Sequence, residues 1–353
     1  MTPTVSAPAR RLRGVTLSVS LLVLLIVGIL LSAGTGQYPV PPAQVIGSVL
    51  QSVGIHTSWA PDDPIVEATL WVVRFPRIVM GLVVGAALAV AGAVMQAIFG
   101  NPLAEPGVVG VSSGAALGAA LSIVLGITVL GEWSTAAFAF MGALLSVLLV
   151  YFVSRSSGRT EVVTLLLTGI AINAFGGAGL ALMLFLGDTS SREQVVFWQL
   201  GSLNGSKWQQ VLIVAVIAVA GVAVALFFAR RYDLFSLGER AARHLGVNVE
   251  ALRVLSILLV ALLTGAAVAF CGIISFVGLV VPHIIRMAIG PAHKPLIIAS
   301  AVGGGVLMVF ADLIARTLIS GADLPIGMLT SLVGGPFFFY LLYRARKHTG
   351  GWS

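Results

Sequence analysis

Charge is what this sequence has least of. Only 9% of its 353 residues are Asp, Glu, Lys or Arg, against roughly 25% in an ordinary soluble domain. A soluble fold of this length would lack the charge to cover its surface, which excludes a soluble enzyme, a nucleic-acid binder and a disordered chain. Cysteine is nearly absent. Cys271 stands alone, so neither an internal disulfide nor a cysteine metal cluster can form. Lysine occurs only at 207, 294 and 347. None lies in a G-x-x-x-x-G-K-[ST] loop, so the chain does not bind ATP through such a loop. His56, His244, His283, His293 and His348 are scattered, and no metal site built from protein ligands alone is expected. Ion-coupled carriers keep ionisable groups near the bilayer midplane. Here the spans offer only Asp312 and Arg316, spaced i,i+4 on one helix face, which argues against a proton- or sodium-coupled carrier.

What is abundant is apolar sequence, 58% of the chain, together with 41 glycines that suit close helix packing in lipid. A membrane helix needs about 20 apolar residues. The runs are Val15–Ala33, Ile78–Phe99, Val108–Leu130, Thr135–Val153, Val162–Leu186, Val211–Ala229, Val254–Cys271, the short Gly272–Ile285, Pro295–Ile319 and Leu324–Tyr343. The first follows Arg10, Arg11 and Arg13 and is read as an uncleaved first helix, longer than the apolar core of a signal peptide. With the N-terminus inside and all ten runs crossing, 15 of the 20 basic residues fall on the inner face, as the positive-inside rule requires. Arg74, Arg77, Arg192, Lys207 and Arg316 fall outside. Making the short run re-entrant divides them 11 to 9 and puts the basic tail on the wrong face. The expected fold is therefore an all-α polytopic membrane protein of ten crossings with both termini cytoplasmic. A short crossing is tolerated where it is buried in protein. The longest loop, Gly34–Val73 on the outer face, is about 40 residues, so residues 1–353 read as a single membrane domain. Residues 1–14 and 344–353 form cytoplasmic tails, and 230–253 a long cytoplasmic stretch. A short amphipathic helix is expected at Ala43–Ser52 in the outer loop.

Several local signals remain. Gly110-Val111-Ser112-Ser113-Gly114 matches G-x-S-x-G, but a nucleophile elbow needs a strand–turn–helix on an α/β sheet. A membrane-embedded hydrolase using Ser112 is the alternative of another class, and a small-residue helix start is the plainer reading. Arg74-Phe75-Pro76-Arg77 puts two arginines at an outer membrane edge, against the charge bias. They either snorkel to lipid phosphates or receive carboxylates, which arginine pairs bidentately. Arg316 lies on the same face. Asn101–Gly107 is a proline-rich inner turn. Leu237-Gly238 and Leu245-Gly246 bracket a short helical pattern, Glu239–Leu245, on the cytoplasmic side. It is either a solvated connector or a small helix offered to a cytoplasmic partner. Asn173, among Gly169, Gly176, Gly177 and Gly179, reads as a helix–helix hydrogen bond.

In this order the pieces resemble the FecCD-type permeases, the membrane subunits of ATP-driven importers for iron-siderophores, haem and vitamin B12. The matching stretches are RFPR at 74–77, GAALAVAGAVMQ at 85–96, NPLAEPGVVGVSSGAALG at 101–118, FWQLGSL at 197–203 and LGERAARHLGV at 237–247. They continue with GIISFVGLVVPHIIR at 272–286, ADLIAR at 311–316 and DLPIGMLTSLVGGPFF at 323–338. Asp323 stands where the family often has Glu. The resemblance implies a type II ABC importer permease of ten membrane helices, working as a homodimer in the bacterial inner membrane. Two cytoplasmic ATPase subunits would bind ATP and Mg, and an extracytoplasmic binding protein would deliver the ligand. The chain itself would be no enzyme and hold no cofactor or metal. By similarity, Arg74, Arg77 and Arg316 would receive acidic residues of the binding protein. Leu237, Gly238, Glu239, Ala242, Leu245 and Gly246 would form the ATPase-coupling segment. Arg159, Thr160, Val162, Val163 and Thr164 would lie near the cytoplasmic gate. LLLTGIAINAFGGAGLALMLFLGD with VVFWQLGSL looks most like haem permeases, then siderophore and, further off, cobalamin permeases.

Overall fold

The computed structural model describes residues 7–156, 159–319 and 321–348. Its helices are, in chain order, α1 (Ala7–Gly34), α2 (Pro42–Ser52), α3 (Pro64–Ala68), α4 (Phe75–Phe99), α5 (Val111–Val124), α6 (Ser134–Val153), α7 (Val162–Leu186), α8 (Thr189–Leu200), α9 (Trp208–Phe235), α10 (Glu239–His244), α11 (Val249–Cys271), α12 (Val277–Ile289), α13 (His293–Thr317) and α14 (Ile326–His348). Among the described residues the only strands are Arg155–Ser156 and Arg159–Thr160, a two-residue antiparallel ladder. All ten apolar runs are helical over at least part of their length. Among the described residues seven helices are long and apolar enough to cross a membrane, and Val111–Val124, Val277–Ile289 and Ile326–Leu341 are shorter apolar helices.

The differences from the sequence reading have local causes. Val108–Leu130 is α-helical only over α5, because Pro106–Val109 forms a 3₁₀ turn ending at Gly110, and Gly126 closes the other end. Both glycines have positive φ, at 83° and 61°, which a side chain disfavours. The second run begins earlier than Ile78. From α3 the chain passes through a π-helical turn, Thr69–Arg74, directly into α4. This wide turn lies just before Pro76, which has no N–H to give to the preceding turn. The connection between α1 and α3 also carries α2, one residue longer at its start than expected. α8 is a helix the sequence reading did not anticipate. Asp188 caps it, its Oδ1 accepting from the Ser191 N–H at 2.7 Å, as a helix start favours.

α4 is the axis of the bundle, packed against α9, α11, α12 and α13. Glycine permits the approach. A methyl at Gly85 would sit 2.1 Å from the Gly304 carbonyl oxygen of α13, and one at Gly92 would sit 1.8 Å from that of Gly278 in α12. Backbones this close are the small-residue packing of membrane helices. One apolar core joins α4 to α5, α6, α9 and α11, and a second joins it to α11, α12 and α13. By contrast, α7 leaves Leu167, Ile170, Phe175, Leu182 and Phe185 exposed.

Candidate functional site

At the end of the bundle where α1 and α13 finish and α4 begins, Arg74, Arg77 and Arg316 line one cavity of about 560 Å³ with Asp312 and Asp323. Three separate elements supply the arginines: the π-turn, the first turn of α4, and the last turn of α13. Each guanidinium is held. Arg74 is buried and donates to the carbonyls of Ala33 and Tyr38. Arg316 donates to the carbonyls of Thr35, at 2.7 Å, and Ser32, and to the Ser32 hydroxyl. Arg77 bridges two carboxylates: its Nε donates to Asp312 Oδ1 at 2.8 Å and its Nη1 to Asp323 Oδ2 at 2.7 Å. The Nε of Arg316 lies 3.5 Å from the other Asp312 oxygen. The i,i+4 pairing of Asp312 with Arg316 is therefore secondary to a link from α13 to α4. Sequence reasoning named the arginines and missed what holds them. An aspartate inside an apolar span must find a charged partner, and that signal marks Asp312.

The opposite end carries α10. The expected pattern Glu239–Leu245 forms a helix over Glu239–His244, entered at Gly238 (φ 100°) and left before Gly246 (φ 84°). Ala242 is fully buried against the bundle, while Leu237 and Leu245 flank the helix at 65% and 56% exposure. More than half of each leucine is thus left uncovered by the described residues. Glu239 accepts hydrogen bonds from Arg243 and from the buried Arg253 of α11, which ties α10 to the foot of a core helix. Beside it, Asp233 in the last turn of α9 accepts from the His293 backbone N–H at 2.8 Å and contacts its Nδ1 at 2.7 Å. His293 and Arg316 stand at opposite ends of the 25-residue α13, roughly 35 Å apart at ~1.5 Å rise per residue. The arginine cavity and α10 are therefore separated by about the hydrocarbon thickness of a bilayer, ~30 Å.

The link before α7 holds the other sequence-named residues. Arg159 and Thr160 pair with Ser156 and Arg155 through the backbone; the side chains of Arg159, Thr160 and Val162 lie outside the described residues. Val163 is exposed, and the Thr164 hydroxyl donates to Glu161 at 3.2 Å. None of these residues lines the arginine cavity.

Ser112 follows a 3₁₀ turn and not a strand, so the elbow context is absent. It lines a cavity of about 310 Å³ with Glu105, Asn173, Thr264 and the break between α11 and α12. Asn173 makes the helix–helix bonds expected of it, accepting from Ser113 at 2.7 Å and donating to the Gly107 carbonyl at 3.2 Å. Glu105, in the connection between α4 and α5, accepts from the Phe276 N–H at 3.1 Å. Burial pushes its carboxyl above the ordinary range, and that hydrogen bond opposes the shift. Phe276 holds a left-handed backbone, φ 68°, as the entry to α12. A strained residue of this kind persists where its surroundings over-determine it.

Comparison with known proteins gives consistent matches. The family model described as the FecCD transport family matches residues 24–344. The hemin transport system permease protein HmuU of Yersinia pestis is 41% identical over 304 residues, covering 85% of this chain and 91% of the relative. The cobalamin import system permease protein BtuC of Halobacterium salinarum is 43% identical over 272 residues, covering 76% and 72%. A solved structure described as a metal-chelate type ABC transporter in an inward-facing conformation is 35% identical, with a TM-score of 0.78 over 92% of this chain and 98% of that one.

Proposed function

The chain belongs to the FecCD transport family, and from that premise we propose that it moves haem or another iron chelate inward across the bacterial cytoplasmic membrane. It is an ABC transporter permease, a transport subunit and not an enzyme. In the proposed assembly two copies cross the membrane ten times each, with both termini cytoplasmic. Two ATPase subunits bind ATP and Mg below, and a binding protein docks above. The observation that carries this reading is the pair of sites at opposite ends of α13: a cavity walled by Arg74, Arg77 and Arg316, and a short helix flanked by two exposed leucines. The first suits carboxylates on a docking protein. The second suits an apolar groove on a cytoplasmic partner, with Leu237, Gly238, Glu239, Ala242, Leu245 and Gly246 as its coupling segment. Arg159–Thr164 would form the cytoplasmic gate. The uncovered apolar face of α7 is available to lipid or to the second copy.

Haem is the ligand class favoured by the long match to a hemin permease. A ferric siderophore is the next choice, then cobalamin. The test is ATP-dependent uptake by the reconstituted transporter with haem, a ferric siderophore and cobalamin in competition. Haem is expected to block uptake of the other two. Uptake of cobalamin unaffected by haem would overturn the haem assignment, and uptake without ATP would overturn the importer reading. Ser112→Ala should leave uptake unchanged; its loss would favour the serine-dependent alternative.

A further inference from the structure

Of the groups that hold the three arginines, one is able to leave. Arg74 and Arg316 donate to backbone carbonyls between residues 32 and 38, and these cannot swing away without moving the chain. Asp312 is 3% exposed at its side chain, inside α13. Asp323 differs on every count. It lies on the connection between α13 and α14, its side chain is 37% exposed, and it meets Arg77 from the solvent side at 2.7 Å. Its neighbour Leu324 anchors that connection through its N–H to the Ala315 carbonyl at 2.9 Å. The Asp323 side chain can therefore rotate off while the backbone stays in place.

The charges in the cavity point the same way. Three arginines meet two aspartates, Asp312 and Asp323, a formal balance of +1. Without Asp323 at Arg77 it becomes +2, and the guanidinium presents a free donor to the cavity. An arginine with one buried, fixed carboxylate and one exposed, movable carboxylate is half structural and half exchangeable. A carboxylate from outside competes for the second place only, by the same planar hydrogen-bonding geometry.

We propose that Asp323 is a resident stand-in for a partner's carboxylate: it occupies Arg77 until an acidic side chain of the docked binding protein displaces it. The proposal rests on the docking reading given above. It also divides the three arginines. Arg77 makes the exchange, and Arg74 and Arg316 fix the cavity walls.

The experiment measures affinity between the whole transporter in lipid nanodiscs and the purified binding protein of the same transporter, free of ligand. Asp323→Asn removes the competing charge and keeps the shape. It should tighten binding about fivefold, the order set by a partly exposed ion pair, and the gain should shrink at high salt. In the Arg77→Gln background, Asp323→Asn should change nothing further. Unchanged or weaker binding by Asp323→Asn, or a gain that persists with Arg77→Gln, would overturn the proposal. Charge reversal at Arg77 separates it from the docking reading. If Arg77→Glu leaves affinity intact, the docking reading fails. If Arg77→Glu abolishes binding while Asp323→Asn is silent, only the exchange fails. Retained binding of the ATPase subunits shows that each variant is folded.

Discussion

Asp312→Ala tests the link between α4 and α13. Asp312 is 2% exposed, with Arg77 Nε at 2.8 Å and Arg316 Nε at 3.5 Å. Alanine leaves two guanidiniums facing each other across a gap with their shared counter-charge gone. Removing one member of a buried ion pair costs about 3–5 kcal/mol, because the remaining charge stays desolvated. Here Arg77 keeps Asp323, and Arg316 keeps the Ser32 and Thr35 carbonyls, so the lower end, about 3 kcal/mol, is expected. Replacing the pair together, Asp312→Leu with Arg77→Met, should recover most of that loss, since apolar residues of similar volume need no partner. The chain supplies its own reporter. Cys271 is the only thiol and is buried, so a thiol-reactive dye stays dark until the bundle opens. At about 2 °C per kcal/mol for a long chain, the unfolding midpoint of Asp312→Ala should fall by about 6 °C. A double variant as unstable as the alanine variant, or an alanine variant with an unchanged midpoint, would refute the reasoning.

Other outcomes follow from the same structure. Gly85→Ala drives a methyl to 2.1 Å from the Gly304 carbonyl; overpacking against backbone should cost about 1–3 kcal/mol, read by the same dye, and an unaltered midpoint would contradict the close crossing. Leu237→Ser and Leu245→Ser should each weaken association with the ATPase subunit about tenfold, the order of one leucine side chain buried, without moving the midpoint, because both are exposed in the chain; undiminished co-purification would remove α10 as the docking element. Glu105 has its carboxyl raised by burial, so its stabilisation is full below the unfolded value and is lost as pH rises through the folded one. The midpoint of Glu105→Gln should therefore gain on that of the unsubstituted protein as pH rises through that window, and parallel pH profiles would count against the burial.

The apolar runs made the bundle legible because lipid demands continuous hydrophobic sequence, and each run is helical over at least part of its length. Arg74 and Arg77 stood out in the sequence by being basic where the charge bias was against them, and α10 by its flanking Leu-Gly pairs. Less legible was whatever depends on contacts far apart in sequence. Nothing near Arg77 announces Asp312, 235 positions away, or the distant Asp323. Nor does anything near Glu105 point to the Phe276 N–H. Helix ends were blurred for a local reason: Gly110 and Gly126 lie inside an apolar run, and hydropathy does not register φ. α8 was missed because Thr189–Leu200 opens on polar residues, with Arg192, Glu193 and Gln194, and its apolar stretch is too short to register as a span.

Gly304 has a mechanical meaning beyond close packing. It lies almost midway along α13, with His293 near one end and Arg316 near the other, and it meets Gly85 of α4 with no side chain between them. A stiff rod pressed on a neighbour at its midpoint is a balanced lever, with arms of about 17 Å on either side. A tilt of about 10° about that fulcrum carries each tip about 3 Å in opposite senses. Asp312, eight residues beyond Gly304 and about 12 Å from the fulcrum, moves about 2 Å in the same tilt, enough to stretch its 2.8 Å bond to Arg77 beyond hydrogen-bond length.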